Sequence, residues 1–139
     1  MTEVLERPAP ARTRKRKAAP PTDRCTDYAH RVLAGDIVAG SHVRNACKRH
    51  LRDLAAAPGN GLTFDLARAN EAIAFFEEVL CLNGGQFEGR PFVLQPWQAF
   101  VVGSLFGWLR GAVRRFRVAY CETAKGSGKS PLAAGIPER

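Results

Sequence analysis

Residues 123–130 read Thr-Ala-Lys-Gly-Ser-Gly-Lys-Ser, and no other stretch limits the fold as much. Two glycines within three residues open backbone conformations that other residues avoid, so a sharp turn is expected there. Upstream, Phe116-Arg117-Val118-Ala119-Tyr120-Cys121 is rich in β-favouring residues and predicts a strand, preceded by Gly111 and Arg114-Arg115. Phe116, Val118 and Tyr120 are read as packing residues of that strand. Downstream, a helix is expected to start near Lys129 and to continue through Leu132, Ala133 and Ala134. Strand, tight loop and helix form the setting in which a phosphate-binding loop works. Gly128, Lys129 and Ser130 fit the end of the pattern G-x-x-x-x-G-K-[ST], while Thr123 stands at its first glycine.

Each residue type in the loop has a task in such a site. Gly126 and Gly128 let backbone N–H groups turn inward and approach phosphate oxygens, with Ser127 between them. The start of the helix places its positive end toward the anion. Lys129 would set its ammonium on the β- and γ-phosphates of ATP, and Ser130 Oγ would be a ligand of Mg²⁺. Pro131 removes one N–H donor, in a first turn where proline is tolerated.

The preceding sequence predicts helices. Thr26 or Asp27 caps one that runs through Ala34 and stops at Gly35. Ser41 caps a second, ending near Ala57, with Val43, Ala46, Cys47, Leu51 and Leu54 as its buried stripe. Asp65 caps a third, reaching about Leu82, with Ala69, Ala72, Ile73, Phe76, Val79 and Leu80 inside. A glycine-rich connection leads to a fourth over about Pro96 to Arg110, with proline in its first turn. Trp97, Phe100, Leu105, Phe106 and Trp108 are expected to pack this helix rather than to touch a ligand.

The 139 residues fit one domain at most and carry a net charge of +8, which favours a polyanionic partner. Part of the excess lies in Arg12, Arg14, Lys15, Arg16 and Lys17, flanked by Pro8, Pro10, Pro20 and Pro21, and is expected to form a disordered arm. A solvated tail and a contact with a phosphate backbone both account for it. Cys25, Cys47, Cys81 and Cys121 lack metal-ligand spacing and read as small core residues, and His30, His42 and His50 lack such spacing too. No stretch has the length and apolarity of a membrane span or a signal peptide. A cytoplasmic location, in a bacterium or an infected cell, is expected.

The chain resembles the terminase large subunit of tailed phages, of the long-tailed siphophage type, from about Tyr28 to Ile136. The segments that carry the likeness are YAHRVLAGDIVAGSHVRNACKRHLRDL, FDLARANEAIAFFEEVL, FEGRPFVLQPWQAFVVGSLFGW and RRFRVAYCETAKGSGKSPLAAGI. The resemblance implies an ATP-driven motor that moves double-stranded DNA into a procapsid, with a portal and a small terminase subunit as partners and no membrane. It aligns Lys129 and Ser130 with the lysine and hydroxyl of the Walker A loop. It also aligns Lys125 with a basic residue, often arginine, although a lysine cannot form a two-pronged fork. Gln98 looks like the glutamine that senses adenine, since an amide offers both a donor and an acceptor.

The expected fold class is an α/β fragment: a basic arm over 1–23, a helical lead-in over 24–112, and the start of a P-loop ATPase core over 113–139. Turnover also needs an acidic strand end and a carboxylate that activates water. The family places both downstream of the loop, so the chain is expected to be a truncated motor, inactive as an enzyme by itself. A non-enzymatic nucleic-acid-binding module is the alternative, built on the arm with Arg44, Lys48, Arg49, Arg52, Arg114, Arg115 and Arg117. A different P-loop enzyme, such as a small kinase, fits the flanking segments less well.

Overall fold

The computed structural model describes residues 21–136. The proposed basic arm up to residue 20 lies outside the described residues, as do Pro137, Glu138 and Arg139. The elements in order are α1 (Arg24–Ala34), α2 (Ser41–Ala56), β1 (Leu62–Phe64) and α3 (Leu66–Ala74), which runs into a π-helical turn (Phe75–Val79). A short 3₁₀ turn (Gly85–Phe87) leads to α4 (Pro96–Gly107), β2 (Trp108–Arg110), β3 (Val113–Arg114) and α5 (Lys129–Gly135). Helices and a small sheet are compatible with an α/β fragment.

α4 is the centre of the packing. It lies against α1 and α3, and α1 in turn lies against α2. Gln98, Ala99, Phe100, Val102, Gly103, Phe106 and Gly107 are buried, so the helix is enclosed on most of its circumference. Close approach depends on its glycines. A Cβ at Gly103 would lie 2.2 Å from Cys25 Sγ, and one at Gly107 would lie 2.7 Å from the Phe64 ring. The resulting core has two parts. One joins Phe76, Phe92, Val102 and Phe106 with Leu132 of α5. The other joins Tyr28, Val32 and Cys47 with Phe100.

Several boundaries differ from the sequence reading. α1 begins before Thr26, because Asp23 accepts the Thr26 N–H at 2.9 Å and caps the helix. α2 starts at Ser41 itself, with Gly40 as the cap. Its face is rotated: Val43 is exposed, while His50 and Asp53 are buried beside Cys47. Burial of these polar groups is tolerable because both find partners, described below. The third helix stops near Val79 rather than Leu82, and the wider π turn leaves Val79 62% exposed. The fourth stops at Gly107, where Trp108–Arg110 leave the helix to form β2.

The largest departure concerns the strand expected over residues 116–121. The three-stranded sheet is antiparallel, in the order β1-β2-β3, with Phe64 opposite Trp108 and Leu109 opposite Arg114. β1 was not anticipated; three residues are too few for a periodic signal. Residues 116–121 join no sheet, and Val118 and Tyr120 are 85% and 87% exposed. The packing role read for these two residues is therefore corrected, as is the core placement expected of Cys81 and Cys121, which are exposed while Cys25 and Cys47 are buried. Strand propensity forms a strand only where a partner offers hydrogen bonds and cover, and among the described residues none pairs with this segment. Phe116 does pack, beneath two arginines: Arg49 at 5.1 Å and Arg115 at 4.8 Å from its ring centre.

A candidate phosphate-binding loop

α5 fixes one end of the loop. Leu132 is buried in the helical core, and Gly135 lies so close to Phe76 that a Cβ there would meet the ring at 2.4 Å. The other end leaves β3 and passes Phe116. Between these anchors the loop closes on itself. Gly126 and Gly128 both have φ of +83°, in the region that favours glycine. Ser127 Oγ donates to the Ala124 carbonyl at 2.8 Å and also hydrogen-bonds with the Thr123 hydroxyl. Thr123, which departs from the usual glycine, thus closes the turn with its side chain. Lys129 Nζ donates to the Thr123 carbonyl, crossing from the last part of the loop to its first residue.

The loop borders an open hollow of about 450 Å³, lined by Lys125, Gly126, Ser127, Gly128, Lys129, Ser130 and Pro131. Six of the seven candidate nucleotide residues therefore border one space. Lys125, Gly126 and Ser130 are exposed, while Ser127, Gly128 and Lys129 are half-buried. The seventh, Gln98, comes from α4 and is 2% exposed. Its Oε1 accepts the Gln95 N–H at 2.8 Å at the start of the helix. Its Nε2 faces the loop: a Cβ at Gly128 would lie 2.8 Å from it. Gly128 is doubly constrained, by its backbone angle and by this neighbour.

The loop thus brings together two positive-φ glycines, a lysine that spans it and a hollow beside them. Residues 96–137, from the first residue of α4 past the loop, match the family model described as terminase large subunit, ATPase domain. The match supports the resemblance drawn from the PWQ, LFGW and GKS segments. The match begins at Pro96, the first residue of α4. No curated protein and no solved structure matches the chain. Among the described residues no helix is long and apolar enough to cross a membrane.

A second centre lies under α4 and was not foreseen as one. His50 is 3% exposed and sits among Phe64, Phe100 and Trp108, all edge-on to its ring. Trp108 Nε1–H donates to His50 Nδ1 at 3.0 Å. An indole can only donate, so Nδ1 is unprotonated and the ring proton lies on Nε2. That proton is donated to Thr26 Oγ1 at 3.0 Å, and the Thr26 hydroxyl donates to Asp23 at 2.6 Å. Burial pushes the His50 pKa below 6.5; Asp23 and Asp53 oppose the shift, while His30 and Arg49 add to it. Beside it, Asp53 pairs with Arg115 at 2.7 Å and Arg52 at 3.0 Å. Burial alone would raise the Asp53 pKa, but the two guanidiniums outweigh it and hold the carboxyl below its ordinary value. This centre ties α1, α2 and β2 together and fixes the segment that leads to the loop. Only the excess of polar residues at helical core positions could have signalled it.

Proposed function

We propose that the chain carries the nucleotide-binding loop of an ATP-driven motor that packages double-stranded viral DNA. The observation that carries this reading is the juxtaposition of Lys129 with the glycine-lined hollow, inside the stretch that matches the terminase ATPase family. Backbone N–H groups around Gly126 and Gly128 would hold phosphate oxygens. Lys129 would exchange its bond to the Thr123 carbonyl for the β- and γ-phosphates, a stronger charge-assisted contact. Ser130, exposed at the rim, would supply a hydroxyl to Mg²⁺. Lys125 adds a single positive point at the opening. Gln98 has its oxygen engaged by Gln95, so what it offers a nucleotide is the Nε2 donor beside Gly128.

Magnesium, when bound with ATP, neutralises phosphate charge and polarises the terminal phosphoryl group. Hydrolysis needs in addition an acidic Mg²⁺ ligand on a strand end and a carboxylate that activates water. We assign neither role to a described residue, so nucleotide binding rather than turnover is the activity proposed for this chain. In this reading the organisation is a helical platform over 24–112 and the start of a P-loop core after it.

Calorimetric titration of the full chain with ATP and Mg²⁺ tests the proposal. Binding should occur and should weaken about 10- to 100-fold in Lys129→Ala, the loss of a charge-assisted contact of ~1.5–3 kcal/mol. Equal affinity of the two proteins would remove the loop from the account.

A further inference from the structure

We propose that the solvent face of α2 is a docking surface for the phosphate backbone of duplex DNA. The inference rests on the motor reading for its partner, but its evidence is a separate part of the molecule. α2 is 16 residues long and exposes Arg44, Lys48, Arg49 and Arg52. Its one carboxylate, Asp53, is 5% exposed and already shared by Arg52 and Arg115. Arg44 and Lys48 form no salt bridge with a described residue.

The arrangement of these cations is regular. Arg44, Lys48 and Arg52 recur every four residues, so they line one side of the helix over about 12 Å. Arg49 is held over the Phe116 ring, which Arg115 shares from the segment leading to the loop. Two guanidiniums gathered on one ring repel each other, a cost offset by the Phe116 ring, by the Trp108 ring under Arg115 and by Asp53. A folded chain gains little from such an assembly unless a polyanion meets it. Neutralising phosphates releases counterions and gives affinity without reading sequence.

The rest of the face narrows the choice of polyanion. An acidic protein partner would need aromatic or large apolar anchors at the centre of its interface. The exposed residues of α2 include one large apolar side chain, Val43, which is 39% exposed, and the imidazole of His42, but no Phe, Tyr or Trp. Single-stranded nucleic acid is gripped largely by stacking on aromatic residues, and α2 itself carries no Phe, Tyr or Trp. Spaced point charges on long stems suit the regular phosphates of a duplex.

The test uses the full chain and a short labelled duplex, with binding followed by fluorescence anisotropy as salt is raised. Arg44→Gln with Lys48→Gln should weaken binding about tenfold or more and reduce the salt slope by about 2. The charge-conserving pair Arg44→Lys with Lys48→Arg should bind like the parent, as should Arg68→Gln on α3. ATP binding should be unchanged in the neutral pair, and Lys129→Ala should keep its DNA affinity. If ATP binding is missing altogether while the α2 result holds, the loop reading fails and the surface stands. Unchanged affinity and slope in the neutral pair would overturn the proposal. So would equal binding to a single strand or to polyglutamate. A loss confined to replacement of Arg12, Arg14, Lys15, Arg16 and Lys17 by glutamine would overturn it too.

Discussion

The centre around His50 and the loop over residues 123–130 are held by different means. The first is built from residues far apart in sequence: Thr26, His50, Phe64, Phe100 and Trp108 meet there, the last two and His50 buried and the others half-buried. The second is closed by neighbours: Thr123, Ala124, Ser127 and Lys129 bond to one another, and half of the loop is exposed. Tertiary packing makes the first rigid and costly to disturb. Local bonds make the second easy to open, as a site must be if Lys129 is to release a backbone carbonyl for a ligand. α4 connects the two, placing Phe100 in the centre and Gln98 beside the loop.

Substitutions that act on one region alone should separate them. The largest effect on folding is expected from Trp108→Ala, which removes a side chain 1% exposed and the donor to His50. A loss of about 3–5 kcal/mol should appear in denaturant unfolding. Lys129→Ala should do the converse, with nucleotide affinity reduced by ~1.5–3 kcal/mol and the unfolding midpoint almost unmoved. A large fall in stability there would break the comparison, because it would make the loop part of the core. Gly128→Ala should cost about 1–2 kcal/mol from its φ of +83°. Gln98→Ala in the same chain should recover only the share due to the close Nε2, measured by thermal melts of both proteins.

The smallest effect concerns pH. Burial first, then Arg49 and His30, hold His50 neutral against Asp23 and Asp53. The unfolded chain takes up the proton as pH falls through 6.5, and the folded chain does so only lower. The stability supplied by the neutral ring is therefore complete above pH 6.5 and is lost as pH falls from there toward the folded value. His50→Gln should flatten that part of a melting-temperature profile. If wild-type melting temperature is constant between pH 7 and about 5, burial of His50 does not have this effect.

The sequence revealed the two regions unequally. The loop was legible because its residues are contiguous, and glycine and lysine at fixed offsets leave few alternatives. Ala69, Ala72, Ile73 and Phe76 were legible as a helical face, and Phe100, Phe106 and Trp108 as packing. Residues 116–121 were misread because β propensity says nothing about whether a partner is at hand. The His50 centre was missed for a related reason. His50 and Asp53 fall outside the apolar stripe read for α2, and their partners, 58 positions away for the indole, are brought in only by the fold.

The central claim is that the amides of residues 126–129 hold phosphate. Backbone amide NMR of the full chain, with and without ATP and Mg²⁺, tests it most directly. Gly126, Ser127, Gly128 and Lys129 should show the largest shifts, and Lys129→Ala should suppress them. Shifts centred elsewhere in the chain, or the same pattern in the Lys129→Ala protein, would contradict it.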